Sequence, residues 1–412
     1  MIRFRNYDPA RDREAAYRIW REVGWLERKK EQKKAARLAI ECSHARVAEI
    51  DGAVESLVII TPAVMRYLDC DLPFSAVTGV TTGRVARKRG LAGKLTAQAI
   101  AEDAANGALV AGLGIFEQGY YDRLGFGVGR YEHWASFDPA RLKSDVKPRI
   151  PRRITAKDWE VMHAARINRR RGHGSCNLLP PEFTQAEMTW PNQAFGLGYQ
   201  DGSNGEMTHS FWCRVKESEH GPYRIEWMSF QTPEQFLELM ALIHNLGDQV
   251  RLVEMREPPG IQIQDLIEQP LKQRQVSEGA KFESRTHAVA YWQMRMCDLF
   301  GCLERSHLRG DEVRFNLSLS DPIERFLDES APWRGVAGEY TITLGPASGA
   351  EMGTHGSLPT LTASVGAFTR LWLGVLPATG LAMTDDLAGP AELLNKLDWA
   401  LRLPAPRPDW DF

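Results

Sequence analysis

Hydrophobic and polar positions over the first 140 residues follow strand and helix periods in turn, and this pattern predicts one α/β unit. A short strand at 2–5 precedes a helix that Asp8-Pro9 opens and Gly24 ends. Asp51-Gly52 is a strong hairpin turn between two strands. The remaining predicted elements are strands at 46–50, 54–60, 74–82, 108–113 and 131–137, a helix at 91–105 and a helical turn near 120–124.

A second unit follows the charged, proline-bearing segment 142–154, which is typical of a linker. Its strand and helix order resembles that of the first unit, without the charged loop described below. The predicted elements are helices at 156–168 and 233–246 and strands at 195–199, 210–215, 223–230 and 249–254.

A third unit begins after a tract rich in Gln, Arg and Ser at 270–287. It contains an amphipathic stretch at 294–303, strands at 313–319 and 340–344, an apolar run at 371–375 and a helix at 390–400. The proline-rich residues 403–412 cannot form a helix, and the aromatic side chains of Trp410 and Phe412 indicate that this tail docks on the protein. The predicted class is α/β with mixed (α+β) sheets, divided at 1–145, 146–285 and 286–412.

Composition narrows the classes of partner. The 51 Lys and Arg residues nearly balance 53 Asp and Glu residues, so a net charge of −2 gives no global attraction for nucleic acid or an anionic membrane. The six cysteines form no Cys-x-x-Cys pair and lie at no zinc-ligand spacing from histidine, so no metal is predicted. We expect a reduced, cytoplasmic protein, because the chain shows no signal peptide and no membrane-length apolar run.

Two basic segments of the first unit differ in context. Residues 27–37 are a basic run that fits a solvated helix face or a patch for an anionic partner. Residues 79–95 are a β-branched strand end, then a basic turn with Gly90, then a helix. The first amides of a helix have no intrahelical partner, so this turn can bind an anion such as a diphosphate. Arg87, Lys88 and Arg89 add positive charge.

An ordinary basic helix start is the alternative interpretation of this turn. A P-loop is excluded because Leu95 follows Gly93-Lys94 where a magnesium-binding hydroxyl is required. The glycine fingerprint of a dinucleotide fold is absent from the first βα unit.

A second motif follows the strand predicted at 108–113 and reads Phe116-Glu117-Gln118-Gly119-Tyr120-Tyr121-Asp122-Arg123-Leu124-Gly125-Phe126-Gly127. A tyrosine phenol with a pKa near ~10 can give a proton to a departing thiolate. The alternative interpretation is that Tyr121 only packs the helical turn.

The two motifs together resemble the enhanced intracellular survival (Eis) family of the GNAT acetyltransferase superfamily. The resemblance implies tandem GNAT domains, the second degenerate, followed by a sterol-carrier-protein-like α/β domain, in a hexamer. It implies acetyl-CoA as the acetyl donor, with Tyr121 near the sulfur and the α-carboxylate of Phe412 as general base. Asp411 would favour a cationic amine. The donor-binding positions carried over are Val80, Thr81, Thr82, Arg87, Lys88, Arg89, Gly90, Leu91, Ala92, Gly93, Phe116 and Glu117.

Some positions depart from the family pattern. Phe116 replaces a serine, which removes a hydroxyl contact to the donor, and Arg84 and Thr82 replace proline and valine. The string Arg169-Arg170-Arg171-Gly172-His173-Gly174 repeats the basic motif, but it follows a predicted helix rather than a strand. We therefore interpret it as a loop.

The predicted function is acetyl-CoA-dependent N-acetyl transfer to a primary amine of a cationic small molecule, aminoglycoside- or polyamine-like by resemblance, or of lysine. The alternative is a non-enzymatic protein that binds acyl-CoA or lipid.

Overall fold

The computed structural model describes residues 1–411, whose strands form three sheets. The first part of the chain contains β1 (Ile2–Asn6), α1 (Pro9–Glu22), α2 (Lys30–Glu41), β2 (His44–Ile50), β3 (Ala53–Tyr67), β4 (Cys70–Thr82), α3 (Leu91–Ala105), β5 (Val110–Gly114), β6 (Gly127–Val128) and β7 (Glu132–Phe137). The middle part contains β8 (Arg152–Ile154), α4 (Trp159–Ile167), β9 (Cys176–Leu178), α5 (Pro181–Thr189), β10 (Ala194–Tyr199), β11 (His209–Val215), β12 (Tyr223–Ser229), α6 (Pro233–His244), β13 (Val253–Arg256), α7 (Pro270–Ser277) and β14 (Arg285–Val289). The last part contains β15 (Trp292–Met296), α8 (Leu299–Glu304), β16 (Val313–Ser320), β17 (Gly338–Leu344), β18 (Gly349–Met352), β19 (Thr360–Ser364), α9 (Val365–Trp372), α10 (Ala378–Thr384), β20 (Leu387–Ala388) and α11 (Ala391–Ala400).

The first sheet has the order β1-β2-β3-β4-β5-β15-β6, and β9 pairs with β3. Side chains alternate between the two faces of a strand, so β3 contributes to two cores. Leu57 and Ile59 pack with α1 and α2, whereas Val58 and Ile60 pack with α3 on the opposite face. Helix α1 begins as predicted, because the Asp8 side chain accepts a hydrogen bond from the amide of Ala10.

Two strands lie in sheets other than those expected from the units. The strand predicted at 131–137 as the last of the first unit forms as β7, but it pairs outside that unit, between β13 and β14 of the second sheet. Its place in the first sheet is taken by β15, which pairs with β5 and β6. The stretch at 294–303, predicted only as amphipathic, divides into β15 and α8. Backbone hydrogen bonds therefore join β7 of the first unit to the second sheet, and β15, from residues predicted as the third unit, to the first sheet.

The second sheet has the order β14-β7-β13-β12-β11-β10-β8, and the third has the order β18-β17-β16-β19-β20. Each sheet combines antiparallel pairs with a parallel pair, which is β4 with β5, β12 with β13 and β16 with β19, respectively. Helices pack against the sheets. The predicted mixed α/β class is confirmed. Within residues 1–411, no helix combines the length and the apolar character that crossing a membrane requires.

The tail after α11 runs back along the protein without regular structure and docks, as its aromatic residues indicated. Trp410 is only 2% exposed. The tail backbone is held by two hydrogen bonds, from the amide of Arg407 to the carbonyl of His173 (3.0 Å) and from the amide of Cys176 to the carbonyl of Pro408 (2.7 Å). This brings the end of the described chain between the first and second sheets.

Candidate active site

The site begins where two parallel strands of the first sheet separate. β4 and β5 pair only as far as Val77 opposite Leu113, and β5 ends at Gly114. β4 continues to Thr82, and over this stretch the described residues give it a partner on the β3 side only. The predicted donor-binding positions Val80, Thr81 and Thr82 all lie here. Their strand edge offers unpaired backbone groups to an extended ligand.

A β-bulge precedes this open edge. The register of β3 against β4 shifts between Ile59 and Ile60, which leaves Thr78 as the extra residue of β4. Its hydroxyl is hydrogen-bonded to that of Thr61 at 2.9 Å. Bulges bend a strand and redirect its side chains, and here the bend begins at the point where β4 leaves β5.

The turn after β4 is tightly constrained at its start. At Gly83 a Cβ atom would lie 2.4 Å from the Oε2 atom of Glu55, so a larger residue there would displace that carboxylate. Farther along, Lys88 and Gly90 both have positive φ angles, 62° and 74°. A left-handed lysine costs roughly 1–2 kcal/mol, and such strain is concentrated at functional sites.

Helix α3 begins directly after this turn, over the residues that the sequence predicts. No side chain of the described chain caps its first turn. The amides of Leu91, Ala92 and Gly93 therefore remain available at the positive end of a 15-residue helix. Gly90 leaves open space, since nothing lies within 4 Å of where its Cβ would be.

Three cations surround these amides. Arg87, Lys88 and Arg89 are exposed, and none of them forms an ion pair with another described residue. By contrast, Lys94 is bound to Asp328 at 3.0 Å. The structure therefore brings together free positive charge and free amides, the combination that binds a diphosphate.

The segment after β5 lies at the surface. Phe116 is 89% exposed, and the carboxylate of Glu117 accepts a hydrogen bond from the amide of Gln118 at 3.0 Å. Neither side chain is packed into the protein. The positions follow the end of β5, on the opposite side of the strand separation from 80–82.

Tyr121 is buried at the point of separation. It packs in one core with Val77 and Leu113, the last paired residues of β4 and β5, and its ring lies 4.8 Å from that of Tyr120. Its hydroxyl makes no hydrogen bond to any described residue. Burial raises the pKa of the phenol above its usual value, with a smaller contribution from Tyr120. The group is therefore protonated at neutral pH and free to donate its proton.

A cavity of about 360 Å³ opens on the other face of the sheet, where α1 and α2 lie. Ile59 and Thr78 form its floor, and the second sheet and the tail complete it. Tyr121 belongs to the α3 face. The strands part between these two faces, so we expect a group lying in the gap to have the cavity on one side and the phenol on the other.

The end of the described chain lies at this cavity. The carboxylate of Asp411 is paired with Arg256 and accepts a hydrogen bond from the hydroxyl of Tyr291 at 2.7 Å. Burial acts to raise its pKa, but Arg256 and Tyr291 outweigh burial, and the pKa is lowered. The predicted base Phe412 lies outside the described residues. The backbone carbonyl of Tyr291 also accepts from the amide of Ile115, which joins this corner to the end of β5.

The tail is held by a clasp that sequence analysis missed. The guanidinium of Arg166 lies between two indoles, 3.5 Å above Trp410 and 4.0 Å above Trp227, and is paired with Glu187. Such contacts are cation–π interactions in a desolvated setting. Only the aromatic residues near the chain end gave a signal for it.

The basic string at 169–174 is a loop, as predicted, and it too binds the tail. Arg169 is paired with Asp409 at 2.8 Å. Gly174 has a φ angle of 81°, and a Cβ there would lie 2.7 Å from the amide nitrogen of Arg407. Close approach of two backbones therefore explains the glycine. No group of acidic, histidine or cysteine side chains within residues 1–411 is arranged to hold a metal ion.

Comparison with known proteins agrees with this geometry. Residues 4–129 match the family model described as an acetyltransferase (GNAT) domain. Over its full length the chain is similar in fold to Eis1 from Mycobacterium abscessus, with 14% identity, a TM-score of 0.75 and 100% of both chains covered. It is also similar to a protein of Enterococcus faecalis V583 described as a probable N-acyltransferase (17% identity, TM-score 0.79, 100% of both chains). A third similar structure is a GCN5-related N-acetyltransferase from Kribbella flavida (17% identity, TM-score 0.76, 100% of this chain and 98% of that one). No curated protein matches the chain significantly.

Proposed function

We infer that this chain, whose residues 4–129 form a GNAT acetyltransferase domain, transfers an acetyl group from acetyl-CoA to a primary amine. One observation carries the proposal: the open edge of β4 beyond the Val77–Leu113 pair leads to free helix amides, and a cavity lined in part by Ile59 and Thr78 lies beside the same stretch of the sheet. A long thioester can lie along the open edge of β4, and an amine can approach it from the cavity.

The donor is proposed to bind through the backbone. The strand edge at 80–82 would hold the extended arm, and the amides at 88–93 with Arg87 and Arg89 would hold the diphosphate. Exposed, unpaired cations beside an uncapped helix fit such a ligand, as does the open space at Gly90. Leu91 and Ala92 contribute amides, and Phe116 and Glu117 border the gap from the β5 side.

The chemistry needs one proton donor and one proton acceptor. The amine nitrogen forms a bond to the acetyl carbon, the carbon–sulfur bond breaks, and the sulfur leaves as a thiolate that Tyr121 protonates. The bound ammonium loses one proton before attack, and we assign its removal to the α-carboxylate of Phe412 on the resemblance to the Eis family; the nitrogen loses a second proton after attack, which restores the phenol of Tyr121. Supporting this, the preceding residue, Asp411, lies at the cavity.

Further properties are proposed from the resemblance and the composition. These are a hexameric assembly, a sterol-carrier-protein-like third domain, domain boundaries at 145 and 285, and a cytoplasmic setting in which the six cysteines, all free, stay reduced. Aminoglycosides and polyamines are the first acceptors to test.

The test is acetyl transfer itself. Thiol release from acetyl-CoA is measured over a panel of amines, and the mass of each amine is then determined. The proposal expects thiol and acetylated amine in equal amounts for at least one acceptor. Tight binding of acetyl-CoA without turnover on any amine would instead favour the non-enzymatic acyl-CoA-binding alternative.

The role of the last residue has a separate test. Extending the chain by a glycine after Phe412 moves the α-carboxylate by one residue, and we expect kcat to fall by ~100-fold or more, in the range of general-base catalysis. A glycine added before Met1 is the control. Full activity of the C-terminally extended enzyme would remove this carboxylate from the mechanism.

A further inference from the structure

The acceptor cavity is lined by an unusual number of indoles. Of the 12 tryptophans in the chain, the six at 20, 25, 190, 212, 227 and 410 line this one cavity within the described residues. Two lie in α1 and the segment after it, one follows α5, two lie in β11 and β12, and one lies in the tail. Phe183 and Phe230 add to the wall. Aromatic side chains provide large, rigid contact surfaces for another ring.

Five of the indoles form two contact groups. Trp20 is in contact with Trp25 and Trp190, with ring centroids 5.9 and 5.7 Å apart. In the other group, Trp227 and Trp410 enclose Arg166. Since both groups line the same cavity, a flat ligand bound there would meet aromatic surface.

One of these rings adjoins the reaction gap. Trp25 is 44% exposed, and its Cζ3 atom lies 3.6 Å from the position of a Cβ on Gly79. Gly79 belongs to the part of β4 that has left β5. The aromatic wall therefore begins beside the strand edge at which we propose that the thioester lies.

The charges of the cavity are already matched among themselves. Each of its four carboxylates has an arginine partner: Glu187 with Arg166, Glu226 with Arg214, Asp409 with Arg169 and Asp411 with Arg256. A fifth arginine of the lining, Arg170, has no ion pair in the described chain. Among the described lining residues, no carboxylate lacks an arginine and Arg170 is the one arginine without an ion pair; the α-carboxylate of Phe412, which we propose as the base, would add a single further anion.

This balance disfavours a ligand with several ammonium groups. The proposed carboxylate of Phe412 can receive one ammonium, but every further ammonium would lie beside arginines with no unpaired anion to offset it, which costs free energy. A single ammonium can lie against an indole face and then lose its proton for the reaction. The volume of about 360 Å³ is near the lower limit of ligand pockets, which span ~300–1,000 Å³.

We propose that the acceptor is a small monoamine that carries an aromatic ring, rather than a polyamine or an aminoglycoside. The proposal rests on the proposed N-acetyl transfer for its reaction. It rests on the indoles and the paired charges of the cavity for its substrate class.

The experiment compares four amines: 2-phenylethylamine, hexylamine, spermidine and kanamycin. For each we measure kcat/KM with acetyl-CoA, and separately the Kd in the absence of acetyl-CoA by calorimetry. We expect kcat/KM for 2-phenylethylamine to exceed that for spermidine and kanamycin by ~10-fold or more, with hexylamine between them. We expect Kd to follow the same order.

A matched pair of variants tests the cavity. Trp25→Ala should raise KM and Kd for 2-phenylethylamine by ~5- to 10-fold and those for hexylamine by no more than ~2-fold, because only the former loses a ring contact. Trp399→Ala is the control, since that indole is 73% exposed on α11 and lies outside the cavity. Both side chains are substantially exposed, so neither truncation opens a hole in a core.

The outcomes separate the two proposals. Preference for spermidine or kanamycin would overturn the aromatic class and leave N-acetyl transfer intact. Binding of 2-phenylethylamine that weakens in Trp25→Ala, without thiol release from any amine, would support the class and refute the transfer. Failure of 2-phenylethylamine to bind, or equal effects of the two variants, would also overturn the aromatic class.

Discussion

Replacement of Tyr121 by phenylalanine isolates one atom of the proposed mechanism. The ring keeps its contacts with Tyr120 and Phe126, whose centroids lie 4.8 and 6.1 Å away. The hydroxyl has no hydrogen-bond partner among residues 1–411, so its removal leaves no orphaned group behind. We expect the free energy of unfolding to change by no more than ~0.5 kcal/mol.

The loss of activity should be large by comparison. A positioned general acid contributes ~10²–10⁴-fold to a rate, which is about 3–5 kcal/mol of barrier at 1.36 kcal/mol for each factor of ten. We expect kcat to fall within this range. The Kd for acetyl-CoA should stay within ~2-fold, because the donor is proposed to be held by backbone amides and by the cations at 87–89.

The assay is steady-state thiol release, with the Kd for acetyl-CoA from calorimetry and Tm from thermal unfolding. Tyr120→Phe is the matched control, since this neighbour is half-buried and loses the same atom. Retention of kcat in Tyr121→Phe, or an equal loss in Tyr120→Phe, would refute the assignment.

The pH profile provides a second readout of the same group. Burial raises the pKa of Tyr121 above its usual value of 10. The phenol therefore stays protonated throughout the pH range in which enzymes are usually assayed. We expect no fall in kcat from loss of this proton below about pH 10. A fall near pH 8–9 that disappears in Tyr121→Phe would contradict the account.

Three further predictions address the donor site, the tail and its support. Arg87→Ala should raise KM for acetyl-CoA by ~3- to 10-fold at low salt and by less at high salt. Arg28→Ala, in the basic run at 27–37, is the control and should leave this KM unchanged. Equal KM values in the two variants would contradict the donor site. Gly174→Ala should lower kcat/KM for the amine by ~10-fold or more, because its Cβ would displace the tail backbone. Gly205→Ala is the control: Gly205 has a similar positive φ of 74°, but open space surrounds it, so activity should be kept. Equal activities of the two variants would refute tail docking. Burial lowers the pKa of His173 to about 4, so this side chain binds protons less readily in the folded than in the unfolded protein. The free energy of unfolding measured with urea should therefore be highest above pH 6.5 and fall by about 3 kcal/mol as the pH is lowered to 4. An unfolding free energy that does not change with pH would argue against a buried neutral imidazole.

The local parts of the site were predictable because their signals are contiguous in sequence. Helix α3 forms over the predicted residues, since a glycine precedes it and Asn106-Gly107 ends it. The basic turn and its free amides follow from the same segment. Docking of the tail followed from the aromatic character of Trp410, which the structure buries.

The parts that were not predictable depend on distant pairing. Nothing in the alternation of β7 indicates that it pairs with β13, 116 residues later by the Phe137–Val253 register, rather than with the first sheet. The same holds for β15, whose insertion beside β5 completes the first sheet. Short apolar runs are also ambiguous, and the run at 371–375 lies at the end of α9.

The cavity could not be foreseen for a related reason. Its six tryptophans are spread from Trp20 to Trp410, and no local pattern connects them. The clasp around Arg166 requires a middle-domain helix, a strand of the second sheet and the tail to meet. Domain boundaries at 145 and 285 stay a prediction, since the placement of β7 makes the first two units share backbone hydrogen bonds.

The most direct test of the central claim is a crystal structure of the protein with acetyl-CoA bound. The account predicts diphosphate oxygens within ~2.7–3.2 Å of amide nitrogens in residues 88–93, and the thioester sulfur between β4 and β5 at the hydroxyl of Tyr121. Phosphates bound elsewhere, or a sulfur remote from that phenol, would contradict it.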